Sequence, residues 1–310
     1  MVSGSETKFA HEPSYYLGQS LVRSQVPLAP LTSWRVGGPA EWYAEPSNLE
    51  ELKQLLIWAD QMPITFLGAG SNLLISDAGV AGLVIATRHL RHIYFDPETG
   101  HITAGAGVPL PKLAWQAAKR GWIGLEWAVG IPGTIGGAVV MNAGAHKSCM
   151  RDILVAAQVF NDDGTIVSLT KEDLDYGYRS SILQRHPRLV LQATLQLGIR
   201  STKTNAMELS TQHLHHRQTT QPYHLPSCGS VFRNPTNYSA GWLVEQSGLK
   251  GYRIGGAVVS EKHANFILNC GNATSADIWQ LIRHVQTVVY DRWAIQLIPE
   301  VKVWGDFSGS

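Results

Sequence analysis

The sequence predicts an α+β protein of two or three lobes, and three observations carry that expectation. The chain has 310 residues, more than one small core organises. Short β-type runs alternate with helical segments that carry recognisable caps, with no internal repeat. Glycine clusters at 68–72 and 130–144 interrupt the first half, whereas the cleanest helical pattern lies near the end.

Taken in order, residues 1–25 are polar and unpatterned and are expected to form a loose arm. Regular signals begin near Leu31. Ser47-x-x-Glu50 has the form of a capping box ahead of Leu49, Leu52, Leu55, Leu56 and Ala59, which predicts a helix over 48–60. Strands are expected at 64–67, 73–75 and 83–86. Pro109 near the start and Gly121 past the end frame a helix over 109–119. Residues 155–160 and 166–169 flank Asp163-Gly164, a hairpin signal, and 189–197 closes this half as a strand.

A second lobe is expected from about Ser201. It should contain helices over 204–217 and 239–246, the latter stopped by Gly248, and strands over 252–259, 265–269 and 296–304. Thr274-x-x-Asp277 opens a helix with Ile278, Leu281, Ile282, Val285, Val289 and Trp293 on one face.

Composition narrows the function classes. With 44% hydrophobic and 16% charged residues the chain suits a globular protein, and a net charge of +1 gives no basis for a nucleic-acid or membrane-surface partner. Cys149, Cys228 and Cys270 form no CxxC pair and are odd in number, which argues against a disulfide framework or zinc site and for a reducing cytoplasm. The N-terminus has no apolar signal core. The uncharged stretch 127–141, with Gly133 and Gly137 at GxxxG spacing, is too short for a membrane span of about 20 residues. Pro132 would also break a helix there.

The chemistry is expected in a few motifs. Gly68-Ala69-Gly70-Ser71-Asn72 is a phosphate-type backbone nest or a plain tight turn; the Leu73-Leu74-Ile75 that comes next favours a strand, unlike a dinucleotide GxGxxG. The run Gly130-Ile131-Pro132-Gly133-Thr134-Ile135-Gly136-Gly137, continued through Asn142 and Gly144, packs four glycines and a proline into eight residues. That density argues against an ordinary helix start. It suits either a backbone wrapped against a flat or phosphorylated cofactor or a tightly packed loop.

Gly229 could present Ser230 on a turn, although a lone serine is usually a turn hydroxyl, and the missing GxSxG disfavours a hydrolase. Arg179 and Glu300 are isolated charges, either on solvated faces or in a cleft where they handle charge. His213, His215 and His216 suit an exposed helix face better than a metal site, and no metal is expected.

Together these segments resemble the UDP-N-acetylenolpyruvoylglucosamine reductase (UDP-N-acetylmuramate dehydrogenase) family. The resemblance runs from about Thr32 to Val301. It begins at Thr32-Ser33-Trp34-Arg35-Val36-Gly37-Gly38-Pro39-Ala40 and includes both glycine stretches and Tyr178-Arg179-Ser180-Ser181. It continues through Gly229-Ser230-Val231-Phe232 with Asn234-Pro235, Gly248-Leu249-Lys250-Gly251, Val259 to Phe266, and Pro299-Glu300-Val301.

The resemblance implies a vanillyl-alcohol-oxidase-type FAD-binding domain of two α+β subdomains over 26–200 and a C-terminal substrate lobe over 201–310. It implies non-covalent FAD held by Gly68, Ala69, Gly70, Ser71, Asn72, Gly130, Ile131, Pro132, Gly133, Thr134, Gly136, Gly137, Asn142 and Gly144. Arg179, Ser230 and Glu300 fall on the family's catalytic positions. Tyr178, Arg217, Asn234, Lys262, His263 and Asn265 are the expected substrate contacts.

The implied reaction has two halves, with NADPH as hydride donor and the enolpyruvyl ether of UDP-N-acetylglucosamine as acceptor, in a cytoplasmic monomer. His146-Lys147 stands where Tyr-Gly is common, and Cys228 where Ala is common. The short 179–189 segment suggests a family type without an extra tyrosine-bearing loop. The competing readings are an oxidase of the same fold with covalent flavin and a non-catalytic nucleotide-sugar or flavin sensor. No histidine for a covalent link occurs within 68–74 or 130–144.

Overall fold

The computed structural model describes residues 21–161, 164–199 and 203–308. The first lobe is a four-stranded sheet in the order Val22–Pro27, Pro39–Ala44, Val80–Ala86, Ile64–Leu67. Only the first pair is antiparallel. Strand Val22–Pro27 overlaps the expected loose arm, whose residues 1–20 lie outside the described residues. It is a mostly exposed edge strand, so it lacks the apolar alternation that marks a half-buried one.

Helix Leu49–Ala59 buries Leu52, Leu55 and Ala59 on this lobe. Its N-cap is Asn48, one residue later than Ser47-x-x-Glu50 expects. Asn48 Oδ1 accepts the Glu51 N–H at 2.9 Å, while the Glu51 carboxylate accepts the Ser47 N–H at 2.7 Å. Asn caps as well as Ser, and a second glutamate stands directly after the first, so either register satisfied the motif.

The second lobe is a five-stranded antiparallel sheet in the order Ile166–Thr170, Leu154–Phe160, Leu189–Gln196, His101–Gly105, Ile93–Asp96. The expected hairpin at 155–169 is present, although Asp163 itself lies outside the described residues. The hairpin Ile93–Asp96/His101–Gly105 was not expected. His101–Gly105 turns Ile102 and Ala104 inward, and alanine and glycine carry little strand signal.

Helix Leu110–Lys119 covers this sheet through Leu113, Ala114 and Ala117. Helix Lys203–Thr220 packs on that helix, with Leu214 against the same core. The expected lobe boundary at Ser201 lies outside the described residues.

The glycine stretch contains a helix start after all. Thr134 accepts the Gly137 N–H at 3.4 Å and caps Ile135–Met141, which ends at Asn142 in the left-handed region at φ 43°. Gly136 lets this helix pack closely on Ala106; a Cβ there would lie 3.0 Å from the Ala106 Cβ. Among the described residues no helix is long and apolar enough to cross a membrane.

The third lobe pairs helix Ser275–Trp293 with a three-stranded sheet of Arg253–Ile254, Ala257–Val259 and Ile267–Asn269. The single strand expected over 252–259 is instead a hairpin. The chain turns at Gly255, φ 51°, and the Asp277 carboxylate accepts the Gly256 and Thr274 N–H groups, both at 3.0 Å. The strand expected over 296–304 shortens to Lys302–Trp304 and pairs in parallel with Leu73–Ile75 in the first lobe.

Two further ties join these lobes. Buried Trp34 donates Nε1–H to the Ile267 carbonyl at 2.7 Å, and Asn269 donates to the Trp34 carbonyl at 2.8 Å. Asp77 accepts the Ser275 and Ala276 N–H groups at 3.0 Å each, capping the long helix from another lobe.

Candidate active site

A cleft of about 630 Å³ opens where the three lobes meet. One wall is backbone. Gly68, Ala69, Gly70, Ser71 and Asn72 line it beside Ile131, Pro132, Gly133, Thr134, Gly136, Gly137 and Gly144. Ser71 Oγ donates to the Pro132 carbonyl at 3.0 Å and ties the two segments together. Gly133, at φ 144°, adopts a conformation closed to ordinary side chains; an added Cβ would meet only Ser71 Oγ, at 3.3 Å. That open glycine face lies against the cleft.

Two residues expected on this wall do not line it. Gly130 makes room for Arg217, whose Cδ lies 2.8 Å from where its Cβ would be, and its carbonyl accepts the Tyr223 hydroxyl at 3.2 Å. Asn142 is buried, donating to the Gly177 carbonyl at 2.9 Å and accepting the Arg151 N–H at 3.0 Å. Both residues support the wall from behind.

The facing wall is made of side chains from three distant segments. Phe232 bridges Pro299; the Glu300 N–H donates to the Val231 carbonyl at 2.7 Å and the Arg233 N–H to the Ile298 carbonyl at 2.9 Å. This pairing brings Ser230 and Glu300 to the same part of the cleft. Asn265 holds the Ser230 segment, its amide bonded both ways to the Phe232 backbone at 2.9 and 2.8 Å.

Arg179 arrives from a turn in the left-handed region at φ 53°. Its Nε meets Glu300 Oε1 at 2.9 Å, Nη2 donates to the Gly144 carbonyl at 2.6 Å, and Nη1 to the Asn142 carbonyl at 3.4 Å. Burial lifts the Glu300 carboxyl above the usual carboxylate range, outweighing the opposing pull of Arg179 and, more weakly, Arg233. Asn72 Nδ2 donates to the Glu300 carbonyl at 3.1 Å, joining the two walls.

Of the expected substrate contacts, Tyr178, Arg217, Asn234 and Asn265 line the cleft. Lys262 and His263 do not. Lys262 Nζ donates to the Gln218 carbonyl at 2.7 Å, and His263 packs on Phe266 with ring centroids 4.8 Å apart. Their place in a motif with Asn265 suggested a shared wall, but only Asn265 turns toward the cleft. His213 of the histidine cluster stacks on His146 at 4.0 Å. Among the described residues, no group of three or more His, Cys, Asp or Glu side chains is arranged to hold a metal ion.

Residues 221–304 match the family described as UDP-N-acetylenolpyruvoylglucosamine reductase, C-terminal domain, and residues 40–170 match the FAD binding domain family. A UDP-N-acetylenolpyruvoylglucosamine reductase of Nostoc punctiforme is 58% identical, over 93% of this chain and 88% of its own length. One of Acaryochloris marina is 56% identical, over 95% of this chain and 97% of its own. The chain belongs to the UDP-N-acetylenolpyruvoylglucosamine reductase family. The crystal structure of the reductase from Thermus caldophilus superposes with a TM-score of 0.80 at 37% identity, covering 92% of this chain and all (100%) of that one. The fold is the expected FAD-binding domain of two subdomains with a C-terminal α+β lobe.

The residues present fit the flavin of this reductase family. Gly133 and Gly137 turn open faces to the cleft; an added Cβ at Gly137 would meet nothing closer than Thr134 Oγ1 at 3.7 Å. A flat ring can therefore lie against backbone. Cys228, at the wall, is a thiol pushed up to about 12 by burial, with Sγ 3.4 Å from the Leu73 carbonyl, so it is poor as a nucleophile. The segment after Arg179 forms only the short turn Ile182–Gln184 before strand Leu189–Gln196.

Arg188, Lys302 and Trp304 also line the cleft and were not expected. For the last two a signal existed: they stand at i+2 and i+4 from Glu300, the spacing that shares one face of a strand. Arg188 had no such signal, because a loop carries no period.

Proposed function

We propose that this chain reduces UDP-N-acetylglucosamine enolpyruvate to UDP-N-acetylmuramate, in peptidoglycan precursor synthesis, with non-covalent FAD and with NADPH as the hydride donor. One observation supports this above all: the Arg179–Glu300 pair at 2.9 Å and Ser230 share a wall that faces open glycine backbone. Bound FAD supplies hydride chemistry to the vinyl β-carbon of the substrate.

The side chains of the facing wall stabilise the resulting charge and deliver the proton. Negative charge develops toward the substrate carboxylate, and preorganised donors lower the barrier where charge develops. Arg179 offers a forked cation to that carboxylate. Burial pushes the Glu300 carboxyl toward its protonated form, and in that form it is a neutral hydrogen-bond donor beside it. Ser230 protonates the α-carbon; a hydroxyl is a weak acid, but an enolate-like carbon is a strong enough base to take its proton. Tyr178, Arg217 and Asn234 bind the substrate, and Asn265 positions the Ser230 segment.

The test is optical. Purified protein should be yellow, bleach anaerobically with NADPH and recover colour when the enolpyruvyl sugar is added. Denaturation should release free flavin. Colourless protein, or reduced flavin that the sugar cannot reoxidise, would overturn the reading. Flavin that stays on the denatured chain would favour the covalent oxidase class instead.

A further inference from the structure

Arg233 lies behind the cleft wall, one residue before Asn234, and through its backbone and side chain together it touches all three catalytic segments. Its backbone N–H donates to the Ile298 carbonyl at 2.9 Å, so it rides on the Ser230 segment and pairs with the Glu300 segment. Its Nη2 donates to the Arg179 carbonyl at 3.1 Å, reaching the third. That carbonyl belongs to a residue in the left-handed region, and its second donor is Gln184 Nε2 at 3.0 Å.

Arg233 Nε is buried with no hydrogen-bond partner among the described residues, which packing alone would not favour. Its charge is nonetheless felt on both sides. It pulls the Glu300 carboxyl downward against burial, and it adds to the burial that holds the Lys302 ammonium below its ordinary range. The cations acting on Glu300 are thus Arg179 in contact and Arg233 behind it, with Lys302 two residues further along the chain, at the start of strand Lys302–Trp304.

We infer that Arg233 is a positioning residue for the reduction: it locks the Arg179 turn onto the paired Ser230 and Glu300 segments and sets the charge balance around the Glu300 carboxyl. Arg179 can then present its fork to the substrate carboxylate without the turn relaxing. The inference rests on the proposed reaction, and its test separates the two.

The test uses the flavin-loaded full chain, reduced photochemically so that no nicotinamide is needed, and mixed with the enolpyruvyl sugar. Arg233→Met should keep flavin content yet slow reoxidation on the order of 100-fold, as misplacement of a catalytic group does. Arg233→Lys keeps the charge but loses the fork, and its rate should fall between the two.

The second readout is independent of turnover. The Glu300 carboxyl carbon is assigned in a carbon-13 NMR titration as the resonance missing from Glu300→Gln. It should titrate at higher pH in Arg233→Met than in wild type, because a neighbouring cation has gone, and near wild type in Arg233→Lys. Unchanged rate and unchanged Glu300 titration in Arg233→Met would overturn the inference. So would joint loss of flavin and thermal stability with the Glu300 titration unmoved in Arg233→Lys and Arg233→Met alike. Wild-type protein inert toward the sugar would sink the proposed reaction, while the titration would still decide the role of Arg233.

Discussion

The two walls of the cleft are built by opposite means. The wall proposed to face the flavin uses backbone: Gly68 to Asn72, Ile131 to Thr134, Gly136 and Gly137 line it, and missing side chains create the surface. The facing wall uses side chains from Arg179, Ser230 and Glu300, held by hydrogen bonds among segments up to 121 positions apart in number from 179 to 300. A backbone wall should fail completely when a side chain is added. A side-chain wall should fail one chemical step at a time.

The largest effect is expected at Gly133. Leucine there meets a φ of 144° that L-residues rarely adopt and projects into the space above the glycine face. Gly133→Leu should purify colourless while keeping wild-type circular dichroism. Full flavin occupancy in a folded variant would show that the wall is not backbone-dependent, and the contrast would collapse.

Next comes Ser230→Ala, which should leave flavin bound and reduction by NADPH near wild type. Reoxidation by the sugar should slow about 10²–10⁴-fold, roughly 3 to 5 kcal/mol of barrier, as loss of a positioned acid does. Stopped-flow absorbance separates the halves. Equal slowing of both would make Ser230 a structural turn residue.

The same contrast explains how much of the site was legible in the sequence. Clustered glycines are local, so both backbone segments stood out, and only the distinction between wall residues and supports such as Gly130 and Asn142 needed the fold. The capped helix Ser275–Trp293 was equally local, its box and its buried face both written within one segment. The side-chain centre had no such signature. Arg179 and Glu300 stand out in the sequence only as isolated charges, on solvated faces or in a cleft, and nothing in their spacing announces a 2.9 Å contact; the family resemblance is what puts them on catalytic positions. Strand His101–Gly105 is faint in the sequence because its inward residues include alanine, whose burial leaves little pattern.

A smaller effect sharpens the chemistry of the side-chain wall. Glu300 sits above the usual carboxylate range because of burial, so in the folded protein the proton is retained past the pH at which a free glutamate loses it. If the neutral acid is the working form, sugar-dependent reoxidation falls as pH rises through that elevated value. Glu300→Gln keeps a neutral donor at the position. It should lower the rate about tenfold, short of the 10²–10³ typical of deleting such a donor, and should abolish that pH limb. A limb that survives in Glu300→Gln assigns it to another group.

The smallest expected effect tests the backbone rule where the sequence breaks it. His146 and Lys147 form the two-residue turn between Gly144–Ala145 and Ser148–Cys149, both at positive φ, 52° and 65°. Turns of this kind favour Asn-Gly, because a side chain in the left-handed region costs about 1–2 kcal/mol. His146 has a compensating contact in its stack on His213, centroids 4.0 Å apart with planes 3° from parallel. Lys147 is exposed at the tip. Glycine at 147 removes the strain but adds about 0.5–1 kcal/mol of unfolded-chain entropy. Lys147→Gly should therefore gain only about 0.5 kcal/mol, a rise in melting temperature on the order of 1–2 °C for a chain of this size. Flavin content and both half-reaction rates should match wild type, since the turn lies outside the cleft wall. A lower melting temperature would mean that the lysine side chain contributes more than its backbone strain costs, and that glycine-free turns in this fold are selected rather than tolerated.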